Sequence, residues 1–215
     1  MLQRHPLGTV AHLWRYPTKS LAPEALDAVD CDENGLAGDR TRALFVTNRD
    51  HARTDKPYRG KEHELLHTRA TPAEAVTLGA ARGVALALRT DGRFFDLEPV
   101  SLVFDTWLRE GERLVGRTLE PQRYRPNLYI ETHGDFAASE ADLVDRILAI
   151  GAVRLRVSQP IARCVTTTYD LRTGESDPRV LSAIANERDN TMGIYAHVVN
   201  PGHIQRGDAI RIDGA

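Results

Sequence analysis

The chain has 215 residues, of which 41% are apolar and 27% charged, so it can form a substantial hydrophobic core and is not intrinsically disordered. The formal net charge of -2 excludes a general electrostatic attraction to nucleic acid or to an anionic membrane. No apolar run approaches the roughly 18 residues that cross a membrane, and the N-terminus has no signal-peptide pattern, so we expect a cytoplasmic protein with reduced thiols.

Short apolar segments between turn residues predict β-strands in the first half of the chain. The segment TVAHLWRYP, residues 9–17, has the pattern of a strand that ends at a proline, and ALDAVD and TRALFVT are typical of two further strands. Two glycines in the intervening ENGLAGDR indicate a turn. The segment TDGR, residues 90–93, is an Asp-Gly turn between apolar runs, which predicts a β-hairpin.

The second half of the chain shows clearer strand patterns. Strands are predicted at RPNLYIE, VRLRVSQP, IARCVTTTYD, GIYAHVVN and DAIRI. The second of these alternates apolar and polar residues with a period of two, which is typical of a strand with one buried face. Because short strands dominate, the sequence predicts a mixed β-barrel rather than an alternating parallel sheet.

Two or three helices interrupt the predicted strands. The segment SEADLVDRILAIG predicts a helix, because Ser139 and Asp142 have the spacing of an N-terminal cap and Gly151 can end the helix. The segment SDPRVLSAIANER predicts another, with Pro178 at its start. A short helix is predicted at PVSLVFDTWLRE.

The segment HELLH, His63 to His67, matches the zinc-protease pattern H-E-x-x-H. On a helix the two histidines would share a face and could both bind zinc. A nearby glycine and proline leave room only for a short helix, and Glu74 and Glu98 are the candidates for a third ligand. A solvated loop or helix end is the simpler interpretation.

Basic residues recur on loops that follow or precede predicted strands. Lys19 and Ser20 follow a strand in YPTKS, and Arg40 follows two glycines in GLAGDR. Arg123 and Arg125 precede a proline in RYRPNL. Loops on a rigid barrel are common places for phosphate sites, and these residues together predict an anion-binding site.

Cys164 is the most informative single residue in the sequence. A buried thiol, a nucleophile and a metal ligand would all fit the segment IARCVTTTYD. Arg163 would favour the thiolate, and the threonines that follow supply hydroxyl groups. The other cysteine, Cys31, is predicted to be a buried, inert thiol, and the pair could form at most one disulfide.

Taken in order, these stretches resemble the MOSC family, which is named for the C-terminal domain of molybdenum-cofactor sulfurase. The matching segments are YPTKS for the family's YPxKS, GLAGDR for GLxxDR, RYRPNL for RxRPN, ARCVTTTYD for its Arg-Cys strand, and GIYAHVVNPGHIQRGD for its closing segment. They are collinear and extend over nearly the whole chain. The resemblance implies a mainly β, α+β fold in which a MOSC β-barrel, residues 96–215, is intertwined with a smaller β-rich N-terminal domain, residues 1–95.

The resemblance also implies a molybdenum-pterin cofactor, with Cys164 as the catalytic residue and metal ligand. The positions that match the family's cofactor contacts are Lys19, Ser20, Arg40, Arg125, Asn127, Arg163, Thr166 and Thr167. Such a protein would be an oxidoreductase that reduces N-hydroxylated small molecules with electrons from a separate donor protein, with no nucleic-acid or membrane partner.

Two other functions remain open at the level of the sequence. The chain could carry sulfur or the molybdenum cofactor through a persulfide on Cys164, or it could be a zinc hydrolase that uses HELLH. The aminotransferase-like half of a cofactor sulfurase has no counterpart here, so pyridoxal phosphate is not expected.

Overall fold

The computed structural model describes residues 6–59, 70–90 and 92–214, within which the chain forms thirteen β-strands and three α-helices. The strands are β1 (Gly8–Arg15), β2 (Glu24–Leu26), β3 (Ala28–Asp32), β4 (Gly35–Leu36), β5 (Ala43–Val46), β6 (Leu86–Arg89), β7 (Val100–Phe104), β8 (Leu128–Thr132), β9 (Ile147–Ile150), β10 (Val153–Ala162), β11 (Thr191–Asn200), β12 (Gly202–Gln205) and β13 (Ala209–Ile212). The helices are α1 (Pro72–Ala81), α2 (Asp105–Val115) and α3 (Pro178–Glu187). Short 3-10 turns occur at Pro121–Tyr124, Ala141–Leu143 and Val165–Thr168.

Seven strands close into a barrel in the order β13-β9-β10-β11-β7-β8-β1, and β1 returns to β13 through the pairs Gly8–Ile210 and Thr9–Ala209. The pairs are antiparallel except β7 with β8, which is parallel. The predicted mainly β fold with a barrel is therefore confirmed. Because β1 is a barrel strand, the barrel takes strands from both predicted domains, and the boundary between residues 95 and 96 stays a prediction.

The barrel interior is the main hydrophobic core, and the period-two pattern of its strands explains why. Along β10, Val153, Leu155 and Val157 are each 0% exposed and alternate with half-buried residues. Complete burial of an aliphatic side chain of this size stabilises a fold by about 1.5–3 kcal/mol. The alternation therefore fixes which face of β10 points inward and sets its register against β11 and β9.

Two smaller sheets flank the barrel. One has the order β12-β3-β4, and the other pairs β5 with β6. Leu44 and Val46 of the second sheet pack with Tyr58 and Ala75 in a separate small core beside α1. The helix α1 begins with a capping box, because Thr71 accepts a hydrogen bond from the Glu74 amide while the Glu74 carboxylate accepts one from the Thr71 amide.

The helix predicted at residues 139–151 is wrong. The predicted cap contacts do form, since the Ser139 amide donates to the Asp142 carboxylate at 2.9 Å. They close only a single 3-10 turn, after which the chain enters β9 between β10 and β13. Leu148 and Ile150 alternate into the barrel core, so strand pairing overrides the local helical pattern.

Three further predictions need correction. The segment predicted as one short helix at PVSLVFDTWLRE divides into β7 and the helix α2, because all five residues of β7 are buried in the barrel. The strand predicted at IARCVTTTYD ends at Ala162 and continues as a 3-10 turn. In place of a hairpin at residues 90–93, β6 pairs with β5, and no strand follows β6 before β7 in the described part of the chain.

Other predictions are confirmed or lie outside the described residues. The helix predicted with Pro178 at its start is α3, capped by Asp177. The HELLH segment, His63 to His67, and Asp91 of the predicted turn lie outside the described residues. None of the described helices is long and apolar enough to cross a membrane.

The barrel pairing brings two groups of strand ends together. In the pairing registers, Leu13 and Leu102 both lie beside Leu128, and Ala162 lies opposite Thr191. The C-terminal end of β1 therefore lies beside the N-terminal ends of β7 and β8, and the C-terminal end of β10 lies beside the N-terminal end of β11. The loops that leave these ends carry the candidate site.

Candidate functional site

A cavity of about 260 Å³ lies among these loops. The described residues that line it come from loops and strands far apart in the chain: Lys19, Ser20, Arg40, Arg59, Asp96, Ser101, Arg123, Tyr124, Arg125, Ile161, Ala162, Arg163, Cys164, Thr166, Thr167 and Tyr195. Six of them carry a cationic side chain and only Asp96 carries a carboxylate. Such an excess of fixed positive charge favours an anionic ligand.

Three lining residues have left-handed backbone conformations although none is glycine. Ser20 has φ of 64°, Arg40 of 46° and Arg125 of 54°. This conformation costs a residue with a Cβ on the order of 1 kcal/mol, which glycine would not incur. Since glycine would adopt this conformation without strain, a serine or arginine there indicates that its side chain is needed. Strained residues of this kind concentrate at functional sites.

Tyr16 supports two of the cavity's arginines from behind. Both guanidinium groups lie over its buried ring, with the Arg125 Cζ atom 4.2 Å and the Arg40 Cζ atom 4.8 Å from the ring centroid. Its hydroxyl donates to the Pro126 carbonyl at 3.1 Å, and burial raises the pKa of Tyr16 to about 12. The ring therefore stays neutral and offers a π face to each guanidinium.

Arg40 is held by an ion pair at the cavity wall. Its Nη1 atom donates to the Asp39 carboxylate and, at 3.2 Å, to the Asn127 Oδ1 atom. Burial acts to lower the pKa of Arg40, but Asp39, Tyr16 and Asp96 together outweigh that effect and raise it. Asp39 is itself only 2% exposed, so the buried carboxylate has a charged, hydrogen-bonded partner.

Arg125 and Arg163 are two cavity cations whose pKa values are lowered by burial. Burial lowers the pKa of Arg125 to about 10, and it lowers the pKa of Arg163 to about 10 as well. Both pKa values remain far above neutrality, so both guanidinium groups are charged at pH 7. The Arg125 Nη2 atom donates to the Leu21 carbonyl at 2.9 Å.

Arg163 is bound to the barrel through backbone carbonyls. Its Nε atom donates to the Met192 carbonyl at 2.7 Å and its Nη1 atom to the Tyr124 carbonyl at 2.9 Å. Gly193 lies next to it with φ of 90°, and a Cβ there would lie 2.6 Å from the Leu102 oxygen and 3.2 Å from the Arg163 Nη2 atom. The absence of a side chain at Gly193 therefore leaves room for the Leu102 carbonyl and for the Arg163 guanidinium beside it.

Cys164 follows the end of β10 and is exposed. Its Sγ atom lies 3.1 Å from the Thr166 hydroxyl, while the Thr167 hydroxyl donates to the Cys164 carbonyl at 2.9 Å. Its sulfur is thus held at the cavity edge by the turn that follows it. The alternative of a core thiol at Cys164 is wrong, since the residue is exposed.

The remaining cysteine behaves as the sequence predicts. Cys31 is 2% exposed, and burial together with the neighbouring Asp32 raises its pKa to about 12. Both Cys31 and Cys164 are free thiols. Cys31 is therefore neutral and inaccessible at pH 7, which leaves Cys164 as the reactive thiol.

The structure brings together eight of the nine site residues proposed from the sequence. Those that line the cavity are Lys19, Ser20, Arg40, Arg125, Arg163, Cys164, Thr166 and Thr167. Asn127 is outside the lining and is 0% exposed. Its Oδ1 atom accepts from the Ser101 amide at 3.1 Å, and its Nδ2 atom donates to the Trp14 carbonyl at 3.2 Å. It joins β1, β7 and β8 behind the cavity and positions Arg40.

Replacing Asn127 by alanine is expected to lower the free energy of unfolding by about 3 kcal/mol, since each buried polar group left without a partner costs about 1–3 kcal/mol. Urea denaturation measures the change. Asn200→Ala is the matched control, because Asn200 is exposed and bonds only to the Ala152 and Pro201 carbonyls at the surface. Equal losses in the two variants would contradict the structural role of Asn127.

Several lining residues carry little signal in the sequence. Arg59 lies in the polar segment between β5 and α1 and matches no motif, and Asp96 lies in an irregular segment before β7. Arg123 belongs to the RYRPNL segment of the predicted anion-binding site, and the structure adds that its side chain is fully buried and donates to the Thr167 carbonyl at 3.2 Å. Tyr195 also has a usable signal, because it belongs to the GIY segment.

No cluster of metal-binding side chains is evident in the described residues. Within residues 6–59, 70–90 and 92–214, no group of three or more His, Cys, Asp and Glu side chains is arranged to hold a metal ion. The zinc hypothesis therefore depends on HELLH and stays a prediction from the sequence.

Comparisons with known proteins agree with the fold. The crystal structure of the YuaD protein from Bacillus subtilis is similar over 99% of this chain and 98% of its own, with a TM-score of 0.61 and 16% identity. The crystal structure of a hypothetical protein is similar over 99% of this chain and 71% of its own, with a TM-score of 0.51 and 12% identity. At these identities the likeness shows a shared fold alone.

The sequence itself identifies the family. A search of curated proteins found no match. The model of the MOSC domain family matches residues 91–211, more than half of the chain, which include β7 to β12, most of β13, Cys164 and the arginines Arg123, Arg125 and Arg163. The chain therefore belongs to the MOSC domain family.

Proposed function

We propose that this MOSC protein binds a molybdenum-pterin cofactor in the cationic cavity and reduces N-hydroxylated compounds with electrons from a separate donor protein. The observation that carries the proposal is the position of one exposed thiol, Cys164, on the edge of a cavity lined by six cationic side chains and one carboxylate. A soft ligand for the metal and a set of donors for a phosphate thus lie in one site.

The residues present fit such a group. Lys19, Arg40 and Arg125 offer ammonium and guanidinium donors suited to a phosphate, and two of them are fixed by the buried Tyr16 ring. When bound, the molybdenum-pterin group would supply the two-electron redox chemistry. The chain's own residues bind and orient it: the arginines neutralise the phosphate, and Cys164 presents its sulfur to the metal.

The turn after Cys164 keeps the sulfur in place. Thr167 bonds to the Cys164 carbonyl through both its amide and its hydroxyl, while the Thr166 hydroxyl reaches the sulfur. Because Ala162 and Cys164 are exposed, this edge of the cavity is open for a small substrate to approach. Ile161 and Tyr195 supply the apolar part of the nearby wall.

The second candidate function is a carrier of sulfur or cofactor, and the same thiol favours it. An exposed cysteine whose only counterpart in the chain is the buried Cys31 can hold a persulfide without forming an internal disulfide. In that case Cys164 would be loaded and unloaded by other proteins and would not support turnover by itself.

Elemental analysis of protein made in a host that synthesises the cofactor is expected to give molybdenum near one atom per chain, with pterin fluorescence after oxidation. Assay with a chemical reductant then tests reduction of an N-hydroxyamidine without the unknown donor protein. Absence of molybdenum, with cyanide-labile sulfur on Cys164, would favour the carrier. Stoichiometric zinc that is lost on His63→Ala would favour the hydrolase.

A further inference from the structure

Among the described residues that line the cavity, Asp96 carries the only carboxylate, and this carboxylate forms an ion pair with Lys19. The Asp96 Oδ1 atom lies 2.5 Å from the Lys19 Nζ atom. Lys19 also donates to the Phe95 carbonyl at 3.3 Å. The side chain of Asp96 is 69% exposed and that of Lys19 is 21% exposed, so the carboxylate lies at the mouth and the ammonium farther in.

Asp96 belongs to a segment without regular secondary structure, residues 92–99, that leads into β7. The Phe94 amide donates to the Arg40 carbonyl at 2.9 Å, and the Phe94 ring packs edge-on against Phe45 with 5.7 Å between centroids. The segment is therefore attached to the cavity wall at Phe94 by contacts that do not involve the cavity's charges. At Phe95 and Asp96 it is attached through the Lys19 ammonium.

We propose that Asp96 is a specificity-determining residue, an internal competitor for Lys19 that an anionic ligand must displace. It makes the cavity select phosphate-bearing ligands over simple carboxylates. The inference rests on the anion-binding role given to the cavity under the proposed function, but it does not depend on molybdenum or on reductase activity.

The selectivity follows from the exchange of one anion for another. A ligand carboxylate would make the same ion pair with Lys19 that Asp96 already makes, so it would gain no interaction energy there. It would also compete with a carboxylate whose effective concentration is high, because Asp96 is attached to the same chain. A phosphate has more charge and more acceptor oxygens, so it can bond to Lys19 and to the guanidinium groups of Arg40 and Arg125 together.

Release of Asp96 from Lys19 costs little free energy, so a phosphate can replace its carboxylate. A carboxylate that is 69% exposed returns to water with little loss, because exposed ion pairs are typically worth about 0.2–1 kcal/mol. The fixed attachment at Phe94 confines the movement to the residues beyond it. Phosphate binding should therefore free residues 95–98 while the Phe94 amide stays bonded to Arg40.

The test uses cofactor-free protein with inorganic pyrophosphate and acetate as probes, measured by calorimetry and by NMR titration. Asp96→Asn is expected to raise the affinity for pyrophosphate about fivefold, which corresponds to the upper range for an exposed ion pair. Acetate is expected to bind measurably only to this variant. The backbone NMR signals of residues 95–98 should shift on addition of pyrophosphate to the wild type, and in Asp96→Asn they should already lie near the shifted positions.

Asp55→Asn is the matched control, since Asp55 is 77% exposed and pairs with Arg89 at 3.3 Å but does not line the cavity. Its affinity for pyrophosphate should equal that of the wild type. An equal rise in both variants, or unchanged backbone NMR signals of residues 95–98 when the wild type binds pyrophosphate, would overturn the role of Asp96 as competitor. Equal pyrophosphate affinity of wild type and Asp96→Asn would overturn it and leave the anion site intact. No binding of pyrophosphate to either would overturn both this inference and the proposed function.

Discussion

Replacing Cys164 by alanine is expected to abolish N-hydroxyamidine reduction and to lower the molybdenum content of purified protein by more than tenfold, since even indirect partners of a metal typically contribute about 10- to 100-fold in affinity. Because Cys164 is exposed, the free energy of unfolding should change by less than about 0.5 kcal/mol. Elemental analysis, assay with a chemical reductant and urea denaturation of the same preparations measure the three quantities.

Cys31→Ala is the control for this prediction. It also removes a thiol, but one that is 2% exposed and packed in the hydrophobic core on β3, so it should cost some stability and leave the molybdenum content unchanged. Full reductase activity in Cys164→Ala would end the reductase proposal. Retained molybdenum with lost activity would instead show that the sulfur acts in turnover without holding the metal.

Replacing Arg125 by alanine is expected to lower cofactor occupancy about tenfold, because a hydrogen bond to a charged group contributes about 1.5–3 kcal/mol. The guanidinium lines the cavity beside the Tyr16 ring and is charged at neutral pH, since burial lowers its pKa only to about 10. Occupancy is measured by pterin fluorescence and molybdenum content at equal amounts of folded protein.

Arg125 also has structural contacts, so the variant needs controls that separate the two roles. Its Nη2 atom bonds to the Leu21 carbonyl at 2.9 Å, and alanine would lose that bond. Arg125→Lys keeps the charge without the fork and should recover part of the occupancy. Arg15→Ala removes an arginine that pairs with Glu24 outside the cavity and should leave occupancy unchanged. A loss of unfolding free energy with normal occupancy in Arg125→Ala would make Arg125 structural.

The architecture explains why the site draws on so much of the chain. Barrel closure brings the end of β1 beside the starts of β7 and β8, and the end of β10 beside the start of β11, so loops more than a hundred residues apart share one cavity. Tyr16 illustrates the result, since its hydroxyl bonds to Pro126 and its ring contacts both Arg40 and Arg125. The barrel is thus the rigid support that fixes the relative positions of the cations.

Local sequence patterns predicted the secondary structure correctly where one physical requirement dominates. The alternation in β10 specifies a strand because its apolar face must be buried, and Pro178 after Asp177 specifies a helix start because proline suits the first turn. The same patterns failed at residues 139–151, where the cap at Ser139 is real but pairing of β9 on both sides determines the outcome. Short-range contacts there are worth less than the burial of Leu148 and Ile150 in the barrel.

By itself, the sequence determined the class of fold, the family, the inert nature of Cys31 and eight residues that line the cavity, because each is signalled by residue type within a short segment. Only the tertiary structure decided that Arg59 and Asp96 belong to the same cavity, that Asn127 stands behind it, and that the Arg163 donors are directed to the Met192 and Tyr124 carbonyls. The physical reason is that these roles depend on distances between segments that meet only when the barrel closes, and no local pattern encodes such a distance.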